Sequence, residues 1–354
     1  MDLTILPLVT KKPRITDENN LVFGKQFTDR MFVMEFDAGK GWHSARIQPY
    51  APFSLDPAAM VFHYSQEIFE GLKAFRRPDG QIALFRPADN VARFNRSAER
   101  MCMPKVDEAF FLDALLQLIR LEADWVPHNE GTSLYIRPTM IATEPMLGVR
   151  PANKYLCYII LSPVGAYYKG GVAPVKIWIS DFYVRATEGG TGEAKTGGNY
   201  AASLYAARQA AENGYDQVLW LDAKEKRFVE EVGSMNMLFL YDDKIVTSPL
   251  RGTVLDGITR RSVLTLVRDM GYAVEERALS VDEVMEGAAS GRLKEAFGTG
   301  TAVVISPVGS FCYKDHCVQL GDGNPGKLTM ALYDKLTAIQ YGRQPDQYSW
   351  ITLL

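Results

Sequence analysis

The chain has 354 residues, enough for about two domains of ordinary size, each with its own core. Hydrophobic residues make up 47% and charged residues 23%, which excludes disordered, collagen-like and coiled-coil proteins. The formal charge is −3 without a basic run, so nucleic acid is not an expected partner. No uncharged stretch reaches the roughly 20 apolar residues of a membrane span, and no secretion signal is evident, so we expect a soluble, cytoplasmic protein.

Strand and helix patterns both occur in the first half of the chain. The segments with a strand pattern are Ile82–Phe85, 133–137 and 155–161, the last a continuous apolar run typical of a buried strand. Between them, residues 107–121 place apolar side chains at helical spacing on one face. The first half is therefore predicted to be α+β.

The second half repeats this mixture. The predicted strands are Val175–Ile179, Gln217–Leu221, 237–241 and Lys244–Thr247, all rich in β-branched or aromatic residues. One predicted helix covers 200–213 and ends at Gly214, and another covers 259–270 and ends at Gly271. Ser280 and Glu283 form a capping box, which predicts a third helix beginning there.

Glycine and proline are concentrated between the two halves, around residues 163–174. Such a segment is typical of a domain boundary. We therefore predict a smaller N-terminal domain over 1–168, an interdomain loop over 169–178 and a larger domain over 179–354.

The four cysteines are too few for a disulfide framework and form no Cys-x-x-Cys pair. Cys102 and Cys157 have apolar neighbours and are predicted to be small buried residues. Cys312, His316 and Cys317 form a cluster with metal-binding chemistry, but zinc would need a fourth ligand and closer cysteine spacing. We therefore predict no metal site.

The most unusual composition is that of residues 189–198, where five of ten residues are glycine. Glycine lets backbone approach a ligand closely, but the spacing fits neither a Walker loop nor a dinucleotide fingerprint. One lysine remains in this loop, Lys195, just before a predicted helix. Lysine in such a setting is a candidate for Schiff-base chemistry; the alternative is an ordinary exposed charge.

Several motifs together resemble one family. In chain order they are FEGLKAF (69–75), KTGGNY (195–200), EVGSMN (231–236), GITR (257–260) and GTGTA (298–302). They are similar to the ordered motifs of the branched-chain amino-acid aminotransferases, pyridoxal 5'-phosphate (PLP) enzymes of fold type IV. The resemblance implies an α+β protein with a smaller N-terminal α/β domain and a larger C-terminal domain, whose β-barrel-like core is surrounded by helices. It also implies a homodimer.

The resemblance assigns the cofactor-binding residues. Lys195 would form the imine with PLP and carry the proton during transfer, Glu231 would pair with the pyridine nitrogen, and Tyr200 would bind the phenolic oxygen. The remaining cofactor-binding residues implied are Arg93, Ser234, Ile258, Thr259 and Thr301, with Arg93, Thr301 and the helix N-terminus at Ile258 and Thr259 binding the phosphate. The alternatives are a surface carboxylate for Glu231 and a helix-face aromatic for Tyr200.

The substrate pocket must accept both a branched aliphatic side chain and the second carboxylate of glutamate. The resemblance implies an aromatic lining of Tyr64, Phe69, Tyr135 and Tyr167, and Leu147 and Val149 contributed by the partner subunit. The amides of Thr301 and Ala302 would bind the α-carboxylate. Arg137 would bind the distal carboxylate, unless it forms a structural ion pair.

The function implied is transamination of L-leucine, L-isoleucine and L-valine with 2-oxoglutarate, by a ping-pong mechanism that gives 2-oxo acids and L-glutamate. Two alternatives keep the fold and PLP: a D-amino-acid aminotransferase and an aminodeoxychorismate lyase. A third is a non-catalytic sensor of small molecules, although such a protein could lose Lys195 or Glu231, and both are present.

Overall fold

The computed structural model describes residues 1–165 and 172–354. Within them the chain forms two compact units. The first holds 1–165 together with two later segments, Ala194–Gly197 and Ala338–Leu354, and the second holds 172–193 and Gly198–Thr337. The sequence instead predicts one domain boundary, the loop over 169–178, and part of that loop lies outside the described residues.

The first unit is built on a nine-stranded sheet. Its strands are β1 (Thr4–Ile5), β2 (Arg30–Asp37), β3 (Gly41–Pro49), β4 (Glu67–Phe69), β5 (Leu72–Arg76), β6 (Ile82–Phe85), β7 (Ser133–Ala142), β8 (Lys154–Val164) and β18 (Ile351–Leu353). Their order in the sheet is β1-β3-β2-β8-β7-β5-β6-β18, and β4 also pairs with β7. Every pairing is antiparallel except β1 with β3.

The helices of this unit are α1 (Met60–Tyr64), α2 (Pro87–Arg100) and α3 (Glu108–Leu121), with 3₁₀ turns at Glu18–Asn20 and Ala123–Trp125. Alternation along β7 gives the sheet two different faces, because successive side chains point to opposite sides. Leu134 and Ile136 belong to the core with Phe94 of α2 and Phe111 of α3. The opposite face of β7 therefore carries Tyr135 and Arg137, away from this core.

The second unit contains a closed barrel. The strands are β9 (Val175–Ile179), β10 (Gln217–Leu221), β11 (Val229–Val232), β12 (Met235–Tyr241), β13 (Lys244–Thr247), β14 (Ala273–Glu276), β15 (Leu293–Gly300), β16 (Val304–Tyr313) and β17 (His316–Gln319). The order β11-β10-β9-β16-β15-β12 closes because β11 also pairs with β12. The β-barrel-like core that the resemblance implies is thus confirmed.

The remaining helices are α4 (Gly197–Glu212), α5 (Ile258–Asp269), α6 (Val281–Ser290) and α7 (Lys327–Gln340). Helices α5 and α6 both pack on barrel strand β15. Among the described residues, none of these helices combines the length and the apolar run needed to cross a bilayer.

Many predicted elements are confirmed. The strands Ile82–Phe85, Val175–Ile179, Gln217–Leu221 and Lys244–Thr247 have the predicted bounds. Helix α6 begins with the predicted cap, since the Ser280 hydroxyl accepts the Glu283 N–H at 3.1 Å. Helix α4 instead begins three residues earlier than predicted, at Gly197, so the lysine motif runs directly into it.

The cysteine predictions are confirmed only for Cys157. Cys102 is exposed rather than buried, whereas Cys157 is buried, and burial raises the pKa of the Cys157 thiol well above its ordinary value. Cys312 and Cys317 form a disulfide, because β16 and β17 place them directly opposite each other with Cα atoms 4.1 Å apart. This pairing excludes both the zinc alternative and two separate thiols.

Candidate active site

The peptide segment around Lys195 is fixed on both sides within the first unit. The Lys195 N–H donates to the Ser97 hydroxyl at 2.9 Å, and the Lys195 carbonyl accepts the Phe69 N–H at 3.0 Å. Its ammonium nitrogen lies 4.8 Å from the centre of the Phe69 ring, within cation–π range. The side chain is held against one aromatic face and is not an ordinary exposed lysine.

Arg93 forms a buried ion pair. Its Nε and Nη2 donate to the two oxygens of Glu70 at 2.7 and 2.9 Å, and Asn90 donates to Glu70 at 2.8 Å. Burial alone would raise the pKa of Glu70, but Arg93, Lys195 and Asn90 together hold that pKa below its usual value. Any phosphate bound by Arg93 must therefore share the guanidinium with Glu70.

Arg137 lies on the sheet face opposite the core. Its Nη2 donates to the Tyr135 hydroxyl at 2.9 Å, and its guanidinium carbon stacks 4.7 Å from the centre of the Phe69 ring. Its Nε is buried without a hydrogen-bond partner, and across the described residues no carboxylate forms an ion pair with it. The predicted alternative of a structural ion pair therefore finds no support, and Arg137 has the properties of an anion-binding group.

In the second unit, the carboxylate of Glu231 is the centre of a buried network. Arg185 Nε lies 2.8 Å from one oxygen, and the other accepts the Leu255 N–H at 2.6 Å and the Asn236 amide at 3.2 Å. Asn236 also donates to the Leu255 carbonyl at 2.9 Å. Glu231 is only 2% exposed, so it is not a surface carboxylate.

Its neighbour Glu230 points to the other face of β11, since adjacent strand residues alternate. Burial raises the pKa of Glu230, with the Glu231 charge adding to the effect and the Thr253 hydroxyl opposing it. The two adjacent carboxylates thus have different surroundings. Arg185 pairs with Glu231, the first residue of the EVGSMN motif.

The network around Glu231 also fixes the N-terminus of α5. The Asn236 side chain occupies the position that a Cβ on Gly257 would need, so only glycine fits at this N-cap. The Gly257 carbonyl accepts the Arg261 N–H at 2.9 Å, which leaves the amides of residues 258–260 without intrahelical acceptors. The first turn contains no acidic residue, so this helix end can bind an anion.

The other predicted residues have varied surroundings. Tyr200 lies in the first turn of α4 and is half-buried, while Ser234 is exposed in the turn between β11 and β12. Thr301 and Ala302 form the turn between β15 and β16. Tyr167 lies outside the described residues.

Tyr64 contacts a segment that lies far from it in the sequence. Its hydroxyl donates to the Leu147 carbonyl at 2.8 Å, so it lies with the residues predicted to serve the partner subunit. Leu147 and Val149 are 65% and 86% exposed in the single chain.

Sequence reasoning assigned no role to five charged or polar residues that stand out in the structure by hydrogen bonding, ion pairing or a shifted pKa. Those residues are Glu67, Glu70, Lys73, Arg185 and Asn236. Glu70 and Lys73 lie inside the FEGLKAF motif, and an acidic residue among apolar neighbours could have signalled a buried pair. Burial lowers the pKa of Lys73 to about 8. Arg185 gave no local signal, because its partner is 46 residues away in the sequence.

The family comparison agrees with the motifs. Residues 67–311, more than half of the chain, match the model of the family described as Amino-transferase class IV. A protein of Bacillus subtilis (strain 168), "Branched-chain-amino-acid aminotransferase 2", is 52% identical over 97% of this chain and 94% of its own length. The chain belongs to the branched-chain aminotransferase family of class IV.

Further relatives and solved structures extend this result. "Branched-chain-amino-acid transaminase 1" of the same organism is 54% identical over 94% of both chains. The crystal structure of the branched-chain amino acid aminotransferase from Thermobaculum terrenum in its PLP form has a TM-score of 0.75 and 24% identity, covering 92% of this chain and 98% of that one. The Escherichia coli enzyme has the same identity and TM-score over 91% and 98% of the two chains. Both structures support the fold.

Proposed function

We propose that the protein transfers the amino group of L-leucine, L-isoleucine or L-valine to 2-oxoglutarate, giving branched-chain 2-oxo acids and L-glutamate with PLP as cofactor. The names of the relatives at 52–54% identity support this substrate class. The observation that carries the proposal is Arg137, a cation without a carboxylate partner among the described residues, set on an aromatic face. That combination suits a pocket that accepts both aliphatic and dicarboxylic substrates.

The residues present fit PLP chemically. A phosphate dianion needs N–H donors and positive potential, which the first turn of α5 offers. A pyridinium nitrogen needs a buried carboxylate, and Glu231 is one. An aldehyde needs an amine, and Lys195 lies in a fixed backbone segment. When bound, PLP supplies an electron sink that stabilises negative charge at the substrate α-carbon.

Each residue then has a separate task. Lys195 holds the cofactor and moves the proton at the substrate α-carbon, a type of positioned transfer worth about 10²–10⁴-fold. Glu231 keeps the ring nitrogen protonated, and Arg185 and Asn236 keep Glu231 in position. Tyr200 binds the phenolic oxygen.

The anionic groups are divided among the remaining residues. The amides at Ile258 and Thr259 bind the phosphate, together with Arg93, Ser234 and Thr301. The amides of Thr301 and Ala302 orient the α-carboxylate, and Arg137 binds the distal carboxylate of glutamate and 2-oxoglutarate. The first product leaves before the second substrate binds at the same site, so the kinetics are ping-pong.

Two further features complete the proposal. The enzyme is a homodimer in which Leu147 and Val149 line the partner's pocket, and their exposure in the single chain supports this arrangement. We also retain the cytoplasm as the proposed location, to be checked by cell fractionation.

The test is the response of the two amino acceptors to Arg137→Ala. Loss of a charged partner for the distal carboxylate costs about 2–3 kcal/mol, so KM for 2-oxoglutarate should rise about 30–150-fold. KM for the 2-oxo acid of leucine should change little. Tyr135→Phe, which removes only the hydroxyl that Arg137 contacts, is the matched control and should have a smaller effect on either acceptor. Equal losses for both acceptors in Arg137→Ala would show a structural arginine instead.

The same assay, run on the wild-type enzyme with L-leucine, L-isoleucine, L-valine, an L-aromatic amino acid and D-alanine, defines the donor class. Transfer from D-alanine and none from L-leucine would replace the proposal with a D-amino-acid aminotransferase.

A further inference from the structure

Glu67 is a carboxylate that the proposed mechanism does not use. It shares the outer face of β4 with Phe69, two residues further on, and β4 pairs with β7, the strand that carries Arg137. Strand β4 also contacts the segment that contains Lys195, because the Thr196 hydroxyl donates to the Glu67 carbonyl at 2.8 Å. Glu67 therefore belongs to the same surface as the proposed substrate pocket.

The carboxylate of Glu67 is fixed in position. One oxygen accepts the N–H of Gly197, the first residue of α4, and this oxygen occupies the space that a Cβ on Gly197 would need. Glycine at position 197 thus permits the contact. A negative charge at this point is also favoured by the N-terminal end of the helix dipole.

The electrostatic surroundings of Glu67 connect it to Arg137. Burial raises the pKa of Glu67, while the Gly197 N–H and the positive charge of Arg137 oppose that rise. The phenol of Tyr158 on β8 is also within reach of the Glu67 charge. In the described part of the chain, no carboxylate forms an ion pair with Arg137. Glu67 is therefore an acidic group that acts on Arg137 through space, without a direct ion pair.

The two substrates place opposite demands on Arg137. The distal carboxylate of 2-oxoglutarate neutralises the guanidinium, but the aliphatic side chain of leucine covers it without supplying any charge. Covering an uncompensated cation is unfavourable, because the ion loses water and gains no partner. A fixed carboxylate nearby reduces that cost and at the same time repels an incoming carboxylate.

We propose that Glu67 sets the balance between the two substrate classes by compensating the charge of Arg137 when an aliphatic side chain fills the pocket. This inference rests on the proposed function of Arg137. It makes Glu67 a positioning residue that acts on specificity through another side chain. Removing its charge should favour dicarboxylic substrates and disfavour branched aliphatic ones.

The test is Glu67→Gln in the PLP-loaded enzyme. The glutamine oxygen can still accept the Gly197 N–H, so the contact is retained and only the charge is lost. We expect the ratio of kcat/KM for the 2-oxo acid of leucine to that for 2-oxoglutarate to fall about tenfold, equivalent to about 1.4 kcal/mol. Most of the change should appear in KM. Glu67→Asp, which keeps the charge, should restore much of the wild-type ratio.

Two further variants distinguish an effect of the Glu67 charge from an effect of the Glu67 contact with Gly197. Glu67→Ala also removes the charge and should shift the ratio in the same direction, even if a lower overall activity reflects loss of the Gly197 contact. In an Arg137→Ala background, Glu67→Gln should leave the ratio unchanged, because the charge that it balances is absent.

An equal change for both acceptors in Glu67→Gln and Glu67→Ala would overturn the inference and assign Glu67 a purely structural role. The proposed function would survive that result as long as Arg137→Ala still separated the acceptors. If the wild-type enzyme transferred no amino groups at all, that result would instead contradict the proposed function.

Discussion

The buried pair of Glu70 and Arg93 offers the clearest stability prediction. The two side chains are 1% and 6% exposed and are joined by two hydrogen bonds. Glu70→Gln keeps the size of the side chain but removes the charge that balances the guanidinium. Breaking a buried pair from one side typically costs about 3–5 kcal/mol, because a buried charge loses its compensation.

A matched control exists on the surface of the same unit. Lys105 and Glu99 lie 2.7 Å apart, as close as the buried pair, but their side chains are 54% and 67% exposed. Glu99→Gln should therefore lower the free energy of unfolding by at most about 1 kcal/mol. The two substitutions differ in burial rather than in distance.

The assay is urea unfolding followed by far-UV circular dichroism, at neutral pH and with PLP both absent and saturating. Glu70→Gln should shift the midpoint several times further than Glu99→Gln in both conditions. Equal shifts would refute the reasoning that burial makes the pair important. A large shift seen only with PLP present would indicate a role in cofactor binding rather than in folding.

The pH dependence has a definite sign. The pKa of Glu70 is lowered in the folded protein, so its stabilising contribution is complete above the ordinary glutamate value of about 4.3. That contribution is lost as pH falls through the lowered value. The difference between wild type and Glu70→Gln should therefore be constant near neutral pH and shrink in strong acid.

Two further predictions concern packing and the disulfide. Gly192→Ala should destabilise the protein by about 1–3 kcal/mol, because the new methyl group would meet the Thr253 backbone 2.5 Å away. Gly198→Ala, where nothing lies within 4 Å, is the control and should be tolerated in thermal unfolding; equal losses would contradict this packing argument. Joining Cys312 to Cys317 closes a short loop worth about 2 kcal/mol in the chain-entropy account, so dithiothreitol should lower the unfolding midpoint of wild type but not of Cys312→Ser. A free-thiol count of four in the unreduced, denatured protein would show that the disulfide is absent.

Sequence reasoning succeeded where the signal is local. A strand such as Gln217–Leu221 is defined by its own apolar residues and neighbouring turns, and the Ser280 cap by a side chain three residues from its partner. The sequence alone does not explain why glycine is needed at each position of the glycine-rich loop 189–198. Gly192 is required because the Thr253 backbone packs against it, a contact 61 residues away that no spacing rule shows.

The features that the sequence does not predict depend on contacts between residues that are far apart in the chain. The segment Ala194–Gly197 joins the first unit through bonds to Phe69 and Ser97, so the domain membership of Lys195 cannot be read from its position in the chain. In the same way, Arg93 is predicted from its motif, but its partner Glu70 lies 23 residues away, between β4 and β5. Motifs select the residues, while long-range packing determines their partners.

Lys195 is the residue proposed to carry PLP, and covalent trapping tests this assignment most directly. The PLP-loaded protein is reduced with borohydride, digested and analysed by mass spectrometry. We predict a stable adduct on the peptide that contains Lys195, a yellow colour before reduction, and loss of both in Lys195→Ala. Lys73, whose pKa burial lowers to about 8, is the internal comparison as another reactive amine of the same unit. An adduct on Lys73 in place of Lys195, or no retained PLP in the wild type, would contradict the account.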